Sequence, residues 1–594
     1  MKAEMTNAET THAGGSDASQ PEHRLAYADV AAWQRAQPES FYSADSHLRR
    51  VLPLYVAPER RTELERDLEQ LGDDCAGPGD ALARESNLDQ NLPRLERWDP
   101  YGARQDIIVH HPTVHELGRL LYRGGIMQAY ANHPDNLGVL ARFYISAHLG
   151  EAGHNCPFAC NAGAIRVLQA LAPTALRERY LPRFLTRDYD TSYCASQFLT
   201  EITGGSDVGA NATVARKQPD GRYRIFGEKW FASRIDADVF VMTARLEGAP
   251  AGTAGLGMFL VPRLLDDGVT PNDFAIRRLK TKLGTRTLAS TEADFNGAWG
   301  HLIGGDRDGD KPGRSFVQLM TLVITTSRLF NAMGCAGLAR RAYVTAQTYA
   351  RHRRAFGRTI GDYPLVQQTL ANTKAEVDAM LSGCLHTTWM HDRVDRGEAD
   401  DVERAFVRMA VNLNKMRTAK SARWAIVEGI EVLGGNGAIE TFSVLPRLLR
   451  DVIVFENWEG THNTLLNQLA RDMRKYRVHE GFFAYLERLC ETLAEGPLAE
   501  RMRAAMTSAR AELESLLDSA PDDPALTLGL RPLFDALPYL SWAVIRAHET
   551  ARLGTAQPVG DTLEHFVELR IAGAAPDIRS ASYQRRIAAI ARTL

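Results

Sequence analysis

The chain has 594 residues, 44% of them hydrophobic and 24% charged, with a formal net charge of -3. Such a length exceeds one typical domain and supplies apolar material for several cores, while the near-neutral balance excludes a bulk attraction to nucleic acid or anionic lipid. The seven cysteines (Cys75, Cys156, Cys160, Cys194, Cys335, Cys384 and Cys490) are scattered and odd in number. They lack the pattern of a disulfide framework and fit a reducing, cytoplasmic location.

The first stretch, 1–23, is polar without an apolar core and is expected to be a disordered tail. No window offers the roughly 18 consecutive apolar residues of a membrane span, so no membrane partner is expected. From 24 to 190 the signals are helical, with apolar residues at three and four spacing in Val114 to Tyr130 and in Leu137 to Leu149, and a GPG breaker at Gly77 to Gly79. His148, Glu151, His154, Cys156 and Cys160 offer metal-ligand types at short spacing. Pro157 follows Cys156 and no second CxxC or HxxxH appears, so they are expected to be packed helix and no metal site is predicted.

The character changes near Asp190. Short strand-like runs, Tyr223 to Phe226, Val239 to Ala244, Met258 to Val261 and Ala289 to Phe295, alternate with turn clusters and predict an antiparallel β-domain over 191–308. A Gly/Asp-rich loop, Gly304 to Arg314, closes it. A helical bundle is expected over 309–477: one helix from about Leu319 to Arg351, a second from Tyr363 to Arg396, a third from Asp401 to Leu433 stopped by Gly434-Gly435, and a fourth after Glu459. The last stretch, 478–594, reads as a further helical extension, its acids slightly outnumbering its bases. The fold class is therefore α+β. Within RDVIVFENWEGTHN, Arg450 to Asn463, Glu459 stands between Trp458 and Gly460. An apolar wall raises a carboxylate's pKa and makes it a usable base near neutral pH; an ordinary turn acid or helix cap is the alternative.

The order of helical domain, β-domain and bundle resembles the acyl-CoA dehydrogenase superfamily, and six motifs carry the resemblance. LTEITGGSDV (Leu199 to Val208) is similar to that family's TExGAGSDV segment, and GEKWFAS (Gly227 to Ser233) to GxKxWIT, with Phe231 at the usual tryptophan, Ser233 at the threonine and Trp230 one position early. KLGTRTLAS (Lys282 to Ser290) matches the K-x-G-x-R-x-S run except for Leu288. RRAFG (Arg353 to Gly357) is similar to the RxxFG element and is followed by Gln367; EVLGGNG (Glu431 to Gly437) is similar to QxxGGxG, with Glu431 replacing the glutamine. Arg450, Asp451 and Glu459 keep the spacing from RD to the catalytic glutamate. The long N-terminal region, WEGTHN and the C-terminal extension are closer to the AidB-like subgroup.

The resemblance implies the acyl-CoA dehydrogenase fold and non-covalent FAD held by Thr200, Gly205, Ser206, Phe231, Ser233, Arg353, Phe356, Gln367, Glu431, Gly434, Gly435, Thr461 and Asn463. A glycine-serine turn lets N–H groups approach an anion closely, and an arginine binds phosphate bidentately. It further implies an acyl-CoA substrate near Arg328 and Ser206, Glu459 as general base for α,β-dehydrogenation to the trans-2-enoyl-CoA, an acceptor such as electron-transfer flavoprotein, and a homo-oligomer, dimer or tetramer. Thr325 stands where many relatives carry an aspartate that supports acyl-CoA binding, and Ser327, at an alternative base position of the family, cannot serve as one. Three other readings are an AidB-like flavoprotein that binds acyl-CoA or fatty acid with little turnover, one that binds nucleic acid, and a flavin oxidase or hydroxylase. The near-neutral to acidic extension argues against nucleic acid.

Overall fold

The structure, a computed structural model, describes residues 21–132, 134–304, 312–519, 526–554, 559–571, 573 and 575–594. The expected tail falls outside the described residues over 1–20, as does most of the Gly/Asp-rich loop, 305–311.

The N-terminal region holds α1 (Pro21–Arg35), α2 (Ser46–Val51), α3 (Pro58–Asp74), α4 (Asp80–Ser86), the strands β1 (Arg94–Trp98) and β2 (Arg104–Val109), then α5 (Pro112–Arg123), α6 (Asn136–Ala147), α7 (Ala152–Leu171) and α8 (Thr174–Phe184). The β1–β2 hairpin corrects the all-helical expectation. Its charged residues hide the strand alternation, and the Asp99 carboxylate organises the turn by accepting the N–H groups of Tyr101 and Ala103 at 2.9 and 2.8 Å. A continuous helix from Val114 to Tyr130 is also corrected: α5 stops at Arg123, and Gly125 takes φ +71, a left-handed turn that glycine adopts without steric cost.

The middle domain comprises β3 (Ala195–Phe198), β4 (Val214–Lys217), β5 (Tyr223–Ser233), β6 (Val239–Leu246), β7 (Leu256–Pro262), β8 (Phe274–Leu279) and β9 (Ser290–Ile303). The strand order is β3-β6-β4-β5-β9-β7 with β8 on β9, and a further β6–β7 pairing closes the path on itself. Most ladders are antiparallel, but β3 and β4 run parallel to β6. Those two strands each reach β6 through a long connection rather than a tight hairpin, which is what a parallel pairing requires. Alternate side chains of β5 and β9 fill an aromatic core around Phe198, Phe240 and Phe295.

The bundle contains α9 (Pro312–His352), the two-residue strands β10 (Arg354–Ala355) and β11 (Arg358–Thr359), α10 (Pro364–Asp395), α11 (Asp401–Leu433), α12 (Leu445–Asn457) and α13 (His462–Tyr476). Asp400 and Glu403 form a reciprocal capping box that starts α11, and Gly434 at φ +61 ends it. Within α9, Phe316–His352 is long and apolar enough to cross a membrane by length and composition, with a mean hydropathy of 1.2 over its most apolar window. That window is 83% buried inside the protein, as the central helix of a bundle is.

The extension folds as α14 (Val478–Cys490), α15 (Pro497–Ser519), α16 (Leu526–Leu553), α17 (Val559–Arg570) and α18 (Ala581–Ala591), packed on α10 and α11. Its key is Trp542, fully buried, whose Nε1 donates to Asn414 Oδ1 at 2.8 Å. Gly383 on α10 makes room for it, since a Cβ there would lie 2.1 Å from the indole.

Candidate active site

Four of the six motifs meet at one place because they bind one another. Glu201 of the first motif and Lys229 of the second form an ion pair of 2.7 Å in which both side chains are buried. Glu201 also accepts the Ala212 N–H at 2.6 Å. These bonds hold the Thr200–Ser206 turn against β5. At the other edge, Asp451 accepts the Thr285 N–H at 2.6 Å and ties the Lys282–Ser290 loop to α12. Gly284 is required there, since a Cβ would sit 2.0 Å from the Arg450 carbonyl oxygen. Burial pushes the Asp451 carboxyl up to about 7.

Between these elements lies a cavity of about 1260 Å³ lined by Thr200, Gly205, Ser206, Phe231, Ser233, Thr325, Arg328, Trp458 and Glu459. Glu459 lies in the loop between α12 and α13 with φ +58, and Gly460 beside it has φ +102. Glu459 is not the helix cap: Thr461 caps α13, accepting the Thr464 N–H. The accessible surface that Glu459 keeps faces the cavity, and burial raises its carboxyl pKa, opposed by the Arg328 and Lys415 cations. Arg328 on α9 donates from Nε to the Glu459 carbonyl at 3.1 Å and from Nη1 to Gln468 Oε1 at 3.0 Å and to Asn412 Oδ1.

Phe231, not Trp230, lines the cavity, at a point where the pairing of β5 with β9 is irregular between Lys229 and Ala232. The Lys280 ammonium lies near both rings, 3.7 Å from the Trp230 centroid and 5.0 Å from the Phe231 centroid. Ser206 Oγ and Thr464 Oγ1 are 3.2 Å apart and link the first motif to α13. Behind Ser233 runs a chain that the sequence reading did not anticipate: Lys282 Nζ donates to Ser290 Oγ at 2.9 Å, and Ser290 Oγ lies 2.8 Å from Ser233 Oγ. Lysine has donors only, so Ser290 accepts from Lys282, while either serine hydroxyl can donate to the other.

The remaining predicted residues lie elsewhere. Thr461 and Asn463 line a second, smaller cavity of about 280 Å³ with Lys420, His462 and, from the extension, Arg531, which donates to Asn463 Oδ1. Arg353, Phe356, Gln367, Glu431, Gly434 and Gly435 line neither cavity. They gather where α9 ends and α11 stops, joined by the Asn436 Nδ2 to Tyr349 hydroxyl bond of 3.2 Å, and Phe356 is 96% exposed. Ser327 lies 3.4 Å from Gln197 Oε1 through its hydroxyl.

Of the residues with metal-ligand chemistry, Glu151 caps α7 by accepting the Gly153 and His154 N–H groups, His148 Nδ1 bonds the Tyr144 carbonyl and His154 Nε2 the Val114 carbonyl. Cys156 and Cys160 line the large cavity. A separate trio, His391, Asp392 and Asp395, has ligand atoms within 4.8 Å of one another, but its carboxylates are taken by Arg166 and Asn136.

The large cavity suits a flavin on its own terms: a glycine turn in which a Cβ at Gly205 would lie 2.9 Å from Thr200 Oγ1, an aromatic ring at Phe231, and a hydroxyl at Ser233. Three family models match in sequence along the chain: the AidB N-terminal domain over residues 34–191, the acyl-CoA dehydrogenase middle domain over 196–298 and the acyl-CoA dehydrogenase C-terminal domain over 316–474. Acyl-CoA dehydrogenase family member 11 of Caenorhabditis elegans is 30% identical over 496 residues, covering 80% of this chain and 77% of that protein. The AidB protein of Escherichia coli is 31% identical over 406 residues, covering 66% of this chain and 71% of that protein. Among solved structures, C. elegans ACDH-11 in complex with C11-CoA superposes with a TM-score of 0.81 at 25% identity, covering 90% of this chain and 92% of that one. With motifs, domain order and relatives in agreement, the chain belongs to the acyl-CoA dehydrogenase family of FAD-dependent oxidoreductases, within its AidB-like branch.

Proposed function

We propose that the protein dehydrogenates a fatty acyl-CoA between its α and β carbons to the trans-2-enoyl-CoA, with Glu459 as the general base. The observation that carries this reading is the Glu459 carboxylate, which faces a large cavity beside the Phe231–Ser233 wall, with a pKa raised by burial. A base must be short of hydration and open to its substrate, and the burial of Glu459 at the wall of the cavity supports that role. The acyl-CoA assignment is supported by the C11-CoA complex of the similar C. elegans protein.

When bound, FAD supplies the oxidant that takes the β-hydrogen with its electron pair. Glu459 removes the α-proton. Thr200, Gly205, Ser206, Phe231 and Ser233 hold the cofactor from this subunit, while Arg328 fixes the base loop and, with Ser206, contacts the thioester portion. The apolar remainder of the cavity keeps water from the reacting carbons. Arg353, Phe356, Gln367, Glu431, Gly434 and Gly435 reach the cofactor of a second copy, so the working form is a homo-oligomer. Thr461 and Asn463, at the smaller cavity, would hold a further part of the cofactor, and an acceptor such as electron-transfer flavoprotein takes up the electrons.

The test is anaerobic titration of the yellow protein with acyl-CoAs from short to long and branched, following loss of flavin absorbance. Bleaching by at least one acyl-CoA is expected. Tight binding of an acyl-CoA with no bleaching by any would overturn the dehydrogenase reading in favour of a binding protein.

A further inference from the structure

Lys415 lies midway along α11 with no exposed surface. An ammonium in such a place is costly unless its charge is used. It forms no ion pair with a carboxylate among the described residues. Its hydrogen bonds run instead to two backbone oxygens, Gly460 O at 2.7 Å and Glu456 O at 3.1 Å.

Those carbonyls bracket Glu459. Glu456 O stands at the C-terminal end of α12, where the last carbonyls have no partner within the helix and carry its negative pole, and Gly460 O stands in the loop beyond. Arg328, from the opposite helix, takes the carbonyl between them, Glu459 O, at 3.1 Å. So α9 and α11 each send a cation to one short loop. Glu459 itself holds φ +58, a conformation that a residue with a Cβ keeps only when its surroundings over-determine it. With the Glu459 carbonyl held by Arg328 and the Glu456 and Gly460 carbonyls held by Lys415, the loop that carries Glu459 is tied to both helices at the edge of the cavity.

We propose that Lys415 is a positioning residue for Glu459: it clamps the loop so that the carboxylate faces the cavity, and its charge favours the ionised form that can accept a proton. This rests on the reading of Glu459 as the base. The charged and titratable groups facing Glu459 are Arg328 on α9, Lys415 on α11 and the Cys160 thiol on α7. Those facing Lys415 are Cys335 and Arg328 on α9, Glu456 at the end of α12, Glu459, and His462 at the start of α13. Asp472 on α13 faces Arg328. The Cys160 thiol is held neutral by its own raised pKa, so Arg328 and Lys415 are the charges that act on Glu459, and both favour its ionised form.

Three substitutions separate clamp from charge. Lys415→Gln keeps amide donors for the two carbonyls and removes the charge, Lys415→Met removes both, and Lys415→Arg keeps the charge on a longer, planar head. In FAD-loaded protein without substrate, the infrared carbonyl band of protonated Glu459, identified by its loss in Glu459→Gln, is titrated with pH. Its midpoint is expected to rise by about one pH unit or more in Lys415→Gln and Lys415→Met and to stay in Lys415→Arg. In the second measurement, Lys415→Met is expected to reduce its flavin with acyl-CoA at least about tenfold more slowly above that midpoint, with FAD and acyl-CoA affinities within about threefold of the parent. A titration midpoint unmoved in folded Lys415→Gln overturns the electrostatic half, and parent-like reduction by Lys415→Met at high pH overturns the clamp. If Lys415→Met does not fold, the same reduction rate is read in Lys415→Ala, which also lacks a donor for the two carbonyls, where a parent-like rate above the midpoint overturns the clamp. If the parent bleaches with no acyl-CoA, the dehydrogenase reading fails on its own, and the infrared midpoint still decides whether Lys415 controls Glu459.

Discussion

Glu459 combines two properties that oppose each other: burial holds its carboxyl above the ordinary carboxylate range, and Arg328 and Lys415 pull it back. A base works only when ionised, so the rate of flavin reduction is expected to climb as pH rises through the pKa of Glu459 in the loaded site, and binding of a thioester that displaces water should move that climb to higher pH. Stopped-flow reduction at a series of pH values measures it; a rate that falls over the same range would contradict a carboxylate base. Glu459→Gln keeps the shape and one acceptor but cannot take a proton. It is expected to bind FAD and acyl-CoA as before while reduction slows by about 10² to 10⁴ or more. Near-parent reduction by this variant would remove Glu459 from the chemistry.

At the scale of elements, two buried contacts decide whether the cavity has walls. Lys229 on β5 pairs with Glu201 in the turn that carries Thr200 and Ser206, with both groups out of water. Lys229→Met strands the Glu201 charge, a loss of about 3–5 kcal/mol for a broken buried pair, and chemical denaturation together with FAD retention should record it. The second contact is Asp451 to the Lys282–Ser290 loop. Its carboxyl moves from the ordinary 3.8 to about 7 on folding, so the folded protein binds more protons than the unfolded chain across that window. Stability from this group is therefore present at low pH and lost as pH rises from about 4 to 7. In Asp451→Asn, which keeps the acceptor for the Thr285 N–H, that loss is absent. The Tm of the parent minus that of the variant should fall over this interval, and a difference independent of pH would show that Asp451 does not titrate there.

For the whole molecule, the main question is how many subunits complete one cofactor site. Arg353 and exposed Phe356 project from the bundle where they line neither cavity, although the family motif assigns them to FAD. A guanidinium shared with a second copy reconciles the two. Arg353→Ala is then expected to lower FAD retention, read by absorbance after gel filtration, and the oligomer mass, read by light scattering, together. Loss of FAD from an unchanged oligomer would confine Arg353 to the cofactor, and no loss of either would end its assignment. The extension is bound into the same body through Trp542, and its Arg531 reaches Asn463 at the rim of the second cavity.

Motifs of Gly, Arg and Glu at fixed spacing determined the family, the order of domains and the candidate base, because turns that approach a ligand and helices that end on glycine leave local marks. The long helices α9, α10 and α11 were equally legible, since their periodicity and caps are local. What only the tertiary structure decided is which distant residues share a wall. The β1–β2 hairpin was hidden by its charged residues, the parallel course of β3 and β4 depends on which strand each meets after a long connection, and Phe231 rather than Trp230 lines the cavity where β5 departs from regular pairing with β9. Lys415 carried no motif at all. Midway along a helix it reads as an ordinary surface charge, and only the packing of α11 against the loop after α12 turns it into a buried cation beside Glu459, because burial and long-range electrostatics depend on distances that a linear sequence does not contain.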